Sequence, residues 1–343
     1  MKVAVLSPVA WRTPPRHYGP WEQVASNIAE GLIKLGVEVT LFATGDSQTS
    51  GQLVSVCETG YEENRNQDAK VLECLHISKL MEQAGDFDII HNNFDFLPLT
   101  YSGLIKTPVI TTIHGFSSAK IIPVYQKYNS TTSYVSISNA DRSRDLEYLA
   151  TVYNGLNTAE FEFNAVPEDY LLYFGRIHHH KGAAEAIEIA KKSGHKLLIA
   201  GIIQDENYFR EKVEPQLNDQ IQYIGSAGPE KRNTLLGNAL ALLHPINFNE
   251  PFGMSVAEAM LCGTPVIAFN KGAMPELIVN DKTGFLVTTI DEAAAAVAQL
   301  NLINRSDCHD WAFSQFSMEK MANDYLNLYK IILGKKQKNQ PVI

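Results

Sequence analysis

The chain has 343 residues, of which 45% are hydrophobic and 20% charged, and its net charge is -9. This length predicts two domains and the composition is that of a globular enzyme, while the negative charge argues against nucleic acid as a partner. No signal peptide is visible, no apolar run approaches the ~18 residues of a membrane span, and the four cysteines include no Cys-x-x-Cys pair. We therefore expect a cytoplasmic protein with reduced thiols.

The N-terminal half alternates strands and helices. A strand is predicted at Lys2–Ser7, a helix with a buried face at about Trp21–Leu35, and a second strand at Val37–Ala43. This order and spacing predict a parallel sheet. Further predictions are strands at Asp88–His91, Pro108–His114 and Tyr134–Ile137, and a helix cap at Ser138–Ala140.

The loop between the first strand and the first helix has four prolines and one glycine, Gly19. It is not a Gly-x-Gly-x-x-Gly loop, which argues against an ordinary dinucleotide site. Backbone amides at the helix start attract phosphate, but Pro20 has no N–H and removes one possible donor. Gly19 is therefore a candidate binding residue, and the alternative is a glycine needed only for its backbone angles.

Polar residues follow two other predicted strands. His114 ends its strand on the side where open α/β sheets bind ligands, and it could donate to a hydroxyl or a phosphate. The alternative is a buried histidine with its hydrogen bonds satisfied. His91 is interpreted as structural, and Asp95 lies in a loop where a second substrate could bind. Asp86–Asp88 spells Asp-x-Asp, but it precedes a strand without other ligands, so no metal site is expected there.

The alternation restarts after a linker at Thr158–Asp169, which predicts a second domain of the same kind. Strands are predicted at Tyr170–Phe174 and Lys196–Ala200, with a helix at Ala183–Lys192 between them. The loop before this helix carries Arg176 and Lys181 between glycines.

An arginine fork and a lysine point charge in such a loop suit a diphosphate. The same loop contains three consecutive histidines, His178–His180, which are expected to point apart and not to share a metal ion. We interpret the histidine run as variable loop. In a later strand, Gly225 would let a ligand approach the backbone.

The segment Ala239–Phe269 predicts a strand, a loop, a helix at about Met254–Leu261 and another strand. The loop ends at a helix N-terminus, where anions and phosphates above all are attracted. Glu250 in the loop and Glu258 in the helix frame that position, and acids there could grip hydroxyl groups. The alternative is that both are solvated surface residues.

The run Glu250-Pro251-Phe252-Gly253, Glu258-Ala259 and Cys262–Ile267 resembles the E-x7-E motif of the retaining glycosyltransferases of family 4, also called group 1. Gly175–Gly182 resembles their G-R-x-x-x-x-K-G pattern, and Tyr18–Glu22 and His114-Gly115 are similar to two further family loops. The resemblance implies an α/β fold of GT-B architecture, with two Rossmann-like doubly wound domains that face each other across a cleft.

The implied domains are an acceptor-binding domain at 1–157, a nucleotide-sugar-binding domain at 158–316, and a terminal helix at 317–343 that crosses back to the first domain. We predict that helix at Ser317–Leu333 and a frayed basic tail at Gly334–Ile343, with weak attraction to the inner face of an anionic membrane. The sequence makes no prediction of oligomeric state.

The implied activity is that of a retaining hexosyltransferase, which needs no metal or cofactor. Its donor would be a nucleotide-diphosphate sugar, with UDP favoured over GDP by family frequency, and its acceptor a glycan, a lipid-linked sugar or a small molecule. The resemblance implies that Arg176 and Lys181 stabilise the leaving diphosphate and that Glu258 binds the ribose. It implies contacts with the donor sugar for Glu250, Phe252, Gly253 and His114, and further donor contacts for Gly225 and Gly19.

Two alternatives stay open from the sequence. One is a sugar-nucleotide epimerase on a similar scaffold, which would interconvert a nucleotide sugar without an acceptor. The other is a non-catalytic nucleotide-sugar-binding protein, which would bind without turnover.

Overall fold

The structure is a computed structural model that describes residues 1–16, 19–116 and 118–338. Residue contacts divide the chain into two compact units. The first consists of Met1–Ser138, Arg142–Gly155 and the C-terminal segment from Met318, and the second of Asn139–Asp141 and Leu156–Ser317. In the part of the chain that the structure describes, each unit contains one parallel sheet, with seven strands in the first and six in the second.

The first unit is a doubly wound α/β unit with strand order β3-β2-β1-β4-β5-β6-β7, and every neighbouring pair is parallel. Strands such as VAVL of β1 are buried on both faces because helices cover a parallel sheet on both sides. The strands are β1 (Lys2–Leu6), β2 (Glu38–Phe42), β3 (Gln52–Val54), β4 (Ile89–Asn92), β5 (Val109–Ile113), β6 (Thr132–Ser136) and β7 (Tyr148–Thr151), and the helices are α1 (Pro20–Lys34), α2 (Ala69–Glu82) and α3 (Ile122–Tyr128).

The second unit repeats this plan with strand order β10-β9-β8-β11-β12-β13, again all parallel. The chain order reverses between β8 and β11, so the loops that follow these two strands are neighbours at a switch point of the sheet. Its strands are β8 (Leu171–Phe174), β9 (Leu197–Ala200), β10 (Ile221–Tyr223), β11 (Ala241–His244), β12 (Val266–Phe269) and β13 (Gly284–Val287), and its helices are α4 (Ala183–Ser193), α5 (Glu206–Tyr208), α6 (Pro229–Asn238), α7 (Met254–Leu261), α8 (Met274–Leu277), α9 (Ile290–Val297) and α10 (Arg305–Phe316).

The predicted α/β class with two Rossmann-like, doubly wound domains is confirmed by these two sheets. Each strand predicted from an apolar run is present within two residues of its predicted ends. The shorter strands and several helices, among them α2, α6 and α9, were not predicted, and of these helices α2 and α6 have no strong periodic signal.

The C-terminal helix α11 (Met318–Lys338) follows α10 after the single extended residue Ser317. It packs on α1 so closely that a Cβ on Gly31 would lie 2.7 Å from the Ala322 Cβ. Because α11 continues to Lys338, the prediction of a frayed tail from Gly334 is wrong for its first half, and the rest of that tail lies outside the described residues. Within the described residues, no helix has both the length and the apolar character that crossing a membrane requires.

His91 joins α11 to the sheet and is structural, as predicted. Its Nδ1 bonds the Tyr329 hydroxyl at 2.6 Å and its Nε2 bonds the Thr112 hydroxyl at 2.7 Å, which in turn lies 2.7 Å from the Tyr325 hydroxyl. Burial lowers the pKa of His91 to about 3, so the ring is neutral. This series of hydrogen bonds holds α11 against β4 and β5.

Arg305 joins several segments of the second unit by hydrogen bonds, and sequence reasoning did not indicate this role. This buried arginine donates to the carbonyl oxygens of Asn164 at 2.7 Å, Gly237 at 2.6 Å and Ala239 at 2.9 Å, and to the Thr264 hydroxyl at 2.8 Å. A cation suits the C-terminal end of α6, where helix carbonyls lack partners. The arginine thereby joins α10, α6 and the linker.

Candidate functional site

The loop after β8 holds Arg176 and Lys181 in a fixed frame. Ile177 donates its N–H to the Ile202 carbonyl at 2.8 Å, and Asn247, in the loop after β11, donates to the His180 carbonyl at 2.8 Å. Gly182 closes the loop with a left-handed φ of +79°, and a Cβ there would lie 2.0 Å from the Pro245 carbonyl oxygen. The glycine is therefore required by both its backbone angle and the close approach of the loop after β11.

Lys181 and Glu250, predicted separately, form an ion pair. The Lys181 ammonium donates to Glu250 Oε2, and the two side chains are only 17% and 13% exposed. The ammonium also lies over the Phe248 ring, 4.7 Å from its centroid. The switch point of the sheet thus joins the cation of one loop to the acid of the next, which strand order alone could not predict.

Arg176 lies on the same loop but has other contacts. Its Nη1 donates to Gln204 Oε1 at 2.6 Å, and its carbonyl accepts from the Tyr173 hydroxyl at 2.8 Å. The side chain is partly exposed. Because its partner Gln204 is neutral, the positive charge of Arg176 is not cancelled by that contact.

The loop Asn270–Glu276 supports Glu250 from the side of β12. The Ala273 N–H donates to the Glu250 carbonyl at 2.9 Å. At the end of this loop, the Glu276 carboxylate accepts from the backbone N–H groups of Asn139 at 2.8 Å and Ala140 at 2.7 Å. The helix cap predicted at Ser138–Ala140 is wrong, since no helix begins there and these amides are used by Glu276.

Glu258 is buried on α7 and is paired with Arg232 of α6. The guanidinium Nη1 lies 3.2 Å from Glu258 Oε1, and its Nη2 lies 3.2 Å from Glu160 Oε2. Burial raises the pKa of Glu258, and the positive charge of Arg232 opposes that shift. The interpretation of Glu258 as a solvated surface residue is therefore wrong, and Arg232 is a site residue that the sequence did not indicate.

His244, the last residue of β11, is a second residue that sequence reasoning missed. It is 7% exposed, and among the described residues its Nε2 has no hydrogen-bond partner. That nitrogen lies 3.9 Å from Glu250 Oε2. Burial lowers the pKa of His244 to about 4, so the ring is neutral at pH 7. The sequence feature that could have indicated His244 is its position as a polar residue at the end of the apolar strand ALLH.

The remaining predicted residues of this unit are described by their packing and backbone angles, and their contacts with the donor stay predictions. Phe252 is buried and meets Phe316 edge to face, with ring centroids 5.7 Å apart. Gly253 begins α7 with a φ of +102°. Gly225 has a φ of +75°, and a Cβ there would meet no atom within 4 Å, so the space in front of its backbone is open.

In the first unit, His114 is buried and stacks on Trp21 of α1, with ring centroids 5.7 Å apart. Its Nε2 donates to Asn93 Oδ1 at 3.0 Å, and burial lowers the pKa of His114 to about 3. A neutral ring with its proton on Nε2 presents an acceptor at Nδ1. Donation by His114 to the donor sugar stays a prediction.

Gly19 precedes Pro20, the first residue of α1, and has a φ of +153°. A Cβ there would lie 2.9 Å from the Pro15 Cβ and 3.0 Å from Glu22 Oε2. Glycine is thus required at position 19 by backbone geometry, which agrees with the alternative that the residue is needed for its backbone angles. A role of Gly19 in ligand binding stays a prediction. Tyr18, in the same motif, lies outside the described residues.

Two acids of the first unit, Glu22 in α1 and the half-buried Asp95 in the loop after β4, have raised pKa values. Burial raises the pKa of Glu22 to about 7, with the Trp11 N–H donating to its Oε1 at 3.2 Å. Burial also raises the pKa of Asp95 to about 6, and the Tyr125 hydroxyl donates to it. Asp95 has a φ of +106°, which is rare for a residue other than glycine and is often found at functional sites. Its role in acceptor binding stays a prediction.

The three histidines of the β8 loop do not point apart, and the geometric reason that we gave against a metal is wrong. Among the described residues, His178, His179 and His180 form the one group of potential ligands whose atoms all lie within 4.8 Å of one another. A single 3-10 turn brings the rings together, and His179 Nδ1 lies 3.1 Å from Asp205 Oδ2. These residues could hold a transition metal.

Two family models match the chain. The one described as "Glycosyl transferases group 1" matches residues 158–312, and the one described as "Glycosyltransferase Family 4" matches residues 21–160. The first match contains every predicted site residue of the second unit, from Arg176 to Glu258.

Three similar proteins match this chain over almost their whole length. The chain is 21% identical to MJ1607 of Methanocaldococcus jannaschii, an uncharacterized glycosyltransferase, over 97% of this chain and 99% of that protein. Its sequence is 25% identical to that of AviGT4, a glycosyltransferase involved in avilamycin A biosynthesis. The two structures match with a TM-score of 0.72 over 97% of this chain and 98% of AviGT4. The chain is 18% identical to HepE of Anabaena in complex with UDP-glucose, with a TM-score of 0.70 over 96% and 100%.

Proposed function

Because the chain belongs to the glycosyltransferases of family 4, or group 1, and has their GT-B fold, we propose that it moves a sugar from a nucleotide-diphosphate sugar to an acceptor. The observation that carries the proposal is the contact between Lys181 and Glu250. These are the cation assigned to the diphosphate and the acid assigned to the donor sugar. They meet above adjacent strand ends, where open α/β sheets bind nucleotides.

In this proposal the loop after β8 binds the diphosphate. As the bond from the sugar to the phosphate breaks, negative charge grows on the departing oxygen. Arg176 and Lys181 then stabilise that charge more in the transition state than in the ground state. Their loop is fixed by backbone hydrogen bonds, so little reorganisation is needed when the charge develops.

The ribose is held by Glu258, whose carboxylate accepts hydrogen bonds from its hydroxyls. The carboxylate is oriented by Arg232, which lies 3.2 Å away and whose positive charge opposes the rise in the pKa of Glu258 that burial causes. Because a buried acceptor with a charge forms strong hydrogen bonds, this contact fits ground-state donor binding better than a catalytic step. We expect loss of Glu258 to raise the donor KM and loss of Arg176 or Lys181 to lower kcat.

We propose that transfer retains the anomeric configuration by front-face attack. The bond from the anomeric carbon to the phosphate oxygen breaks, the acceptor oxygen bonds that carbon from the same face, and the acceptor proton passes to the departing phosphate. A covalent intermediate would need a second carboxyl group across the bond. Among the described residues, the polar contacts of the Glu250 side chain are nitrogens of Lys181 and His244, which suits orientation of the donor sugar and not nucleophilic attack.

A uridine diphosphate sugar is our preferred donor, with GDP-sugar as the alternative. The preference is supported by the neighbouring HepE structure, which contains UDP-glucose. We further propose a hexosyltransferase of the cytoplasm that needs no metal, with the acceptor bound by the first unit and His114 contacting the sugar. The acceptor class, whether glycan, lipid-linked sugar or small molecule, is open.

Thermal unfolding with UDP, GDP and ADP and with UDP- and GDP-sugars, in the presence of EDTA, tests the donor proposal. A ligand bound only by the folded state at 100 times its Kd adds about 2.7 kcal/mol, which raises Tm by several degrees. We expect one nucleotide to give this shift, and Glu258→Ala or Arg176→Ala to abolish it. A protein that no nucleotide stabilises would contradict the donor assignment.

A further inference from the structure

His244 has a feature that the proposed function does not use. Its ring is buried at the end of β11, and within the described part of the chain its Nε2 lacks a hydrogen-bond partner. Buried polar atoms without partners are uncommon in folded proteins and call for an explanation. The Glu250 carboxylate lies close to this nitrogen, with Nε2 and Oε2 3.9 Å apart.

The same carboxylate oxygen is already in use. Lys181 donates to Glu250 Oε2, so the ammonium and the imidazole face one acceptor from two strand ends. The distance of 3.9 Å is about 1 Å longer than an N–H···O hydrogen bond. A hydrogen bond between them therefore requires Glu250 Oε2 to move about 1 Å toward His244.

Donor binding gives a reason for such a movement. The proposed function requires Lys181 to serve the diphosphate, whose two phosphates attract the ammonium more strongly than one carboxylate does. As the ammonium turns to the diphosphate, Glu250 loses its partner while it remains 13% exposed. An ionised carboxylate in that position needs another donor.

We propose that His244 is a positioning residue of the donor site, which donates its Nε2–H to Glu250 Oε2 when the donor diphosphate draws Lys181 away. The inference rests on the proposed function, since the exchange begins when the diphosphate binds. The ring supplies a hydrogen bond without adding a charge beside Lys181, because burial keeps it neutral. Glu250 thereby keeps its orientation toward the sugar after its ion pair has opened.

The test measures UDP binding by isothermal titration calorimetry. His244→Phe fills the volume of the ring without a donor, whereas His244→Gln places an amide N–H close to the position of Nε2. We expect His244→Phe to weaken UDP binding about tenfold, the equivalent of one hydrogen bond to a charged group. His244→Gln should stay within about threefold of wild type, because its amide can donate to Glu250.

The Glu250→Gln background separates positioning from a structural role. A neutral amide does not need a replacement donor, so His244→Phe should change UDP affinity less than about twofold in that background. An equal loss in both backgrounds would show that the ring only supports the local packing, and would overturn the inference. Wild-type affinity in His244→Phe would overturn it as well.

UDP binding by the wild-type protein distinguishes failure of the His244 exchange from failure of the proposed function. If wild-type protein binds UDP and the His244→Phe variant binds it equally well, the exchange is wrong and the donor site stands. If wild-type protein binds none of UDP, GDP and ADP, both fail, since no diphosphate draws Lys181 from Glu250.

Discussion

Removal of the Arg232 charge tests the environment of Glu258. In Arg232→Met, the Glu258 carboxylate, whose side chain is 10% exposed, loses the guanidinium that lies 3.2 Å away. Breaking a buried ion pair by removing one partner costs about 3–5 kcal/mol. Arg232 is itself 21% exposed, so solvent screens the pair in part, and we expect a loss of about 2–3 kcal/mol in the free energy of unfolding.

The pH dependence of this loss identifies its cause. Burial raises the pKa of Glu258 and Arg232 opposes the shift, so the pKa in folded Arg232→Met lies higher than in wild type. A carboxyl group whose folded pKa exceeds its unfolded pKa binds protons more tightly when folded, and stability falls as pH rises through that range. The variant should therefore lose more stability at pH 8 than at pH 5.5.

Urea unfolding at both pH values, for Arg232→Met, Glu258→Gln and the double variant, measures these effects. A neutral amide at position 258 needs no cation, so the double variant should recover most of the stability that Arg232→Met loses. An Arg232→Met protein within about 0.5 kcal/mol of wild type at pH 8 would refute the reasoning, because a loss so small is typical of exposed ion pairs. A double variant no more stable than Arg232→Met would refute it too.

Three further predictions concern single residues. Because the folded pKa of Glu22 is raised to about 7, its ionisation destabilises the fold as pH rises from 5 to 8, and Glu22→Gln should remove about 2–3 kcal/mol of that loss in urea unfolding. Arg305→Met leaves buried carbonyls unpaired and should cost at least about 3 kcal/mol by the same assay, with Arg305→Lys recovering only part. Gly182→Ala should lower the free energy of unfolding by more than about 2 kcal/mol, because the added Cβ meets the Pro245 carbonyl. Gly225→Ala has open space in front of its backbone and should lose only the backbone strain of about 1–2 kcal/mol. Equal losses in the two variants would refute the clash at Gly182.

The parts of the molecule that the sequence predicts well are those with local signals. Apolar runs between glycines indicated the central strands of both sheets, and α7 has the bounds that were predicted from the residues around Glu258. The motifs also identified the two loops of the second unit that carry Arg176, Lys181 and Glu250. These features depend on residues that are close in the chain.

The parts that it did not predict depend on how the chain folds back in three dimensions, which local sequence patterns do not indicate. Arg232 comes from a helix without strong periodicity and meets Glu258 across 26 residues of chain. His244 looked like the end of a buried strand, and its approach to Glu250 depends on the path of the intervening loop. The turn that gathers His178–His180 could not be inferred from spacing, because consecutive side chains in an extended loop would diverge.

The central claim is that the second unit binds the diphosphate of a nucleotide through Arg176 and Lys181. Calorimetric titration with the diphosphate and the monophosphate of the base that stabilises the protein tests it most directly. The diphosphate should bind at least about thirtyfold more tightly, since charged hydrogen bonds to the second phosphate contribute about 2 kcal/mol, and Arg176→Met should remove most of this difference. Equal affinity for the two nucleotides, or an unchanged difference in Arg176→Met, would contradict it.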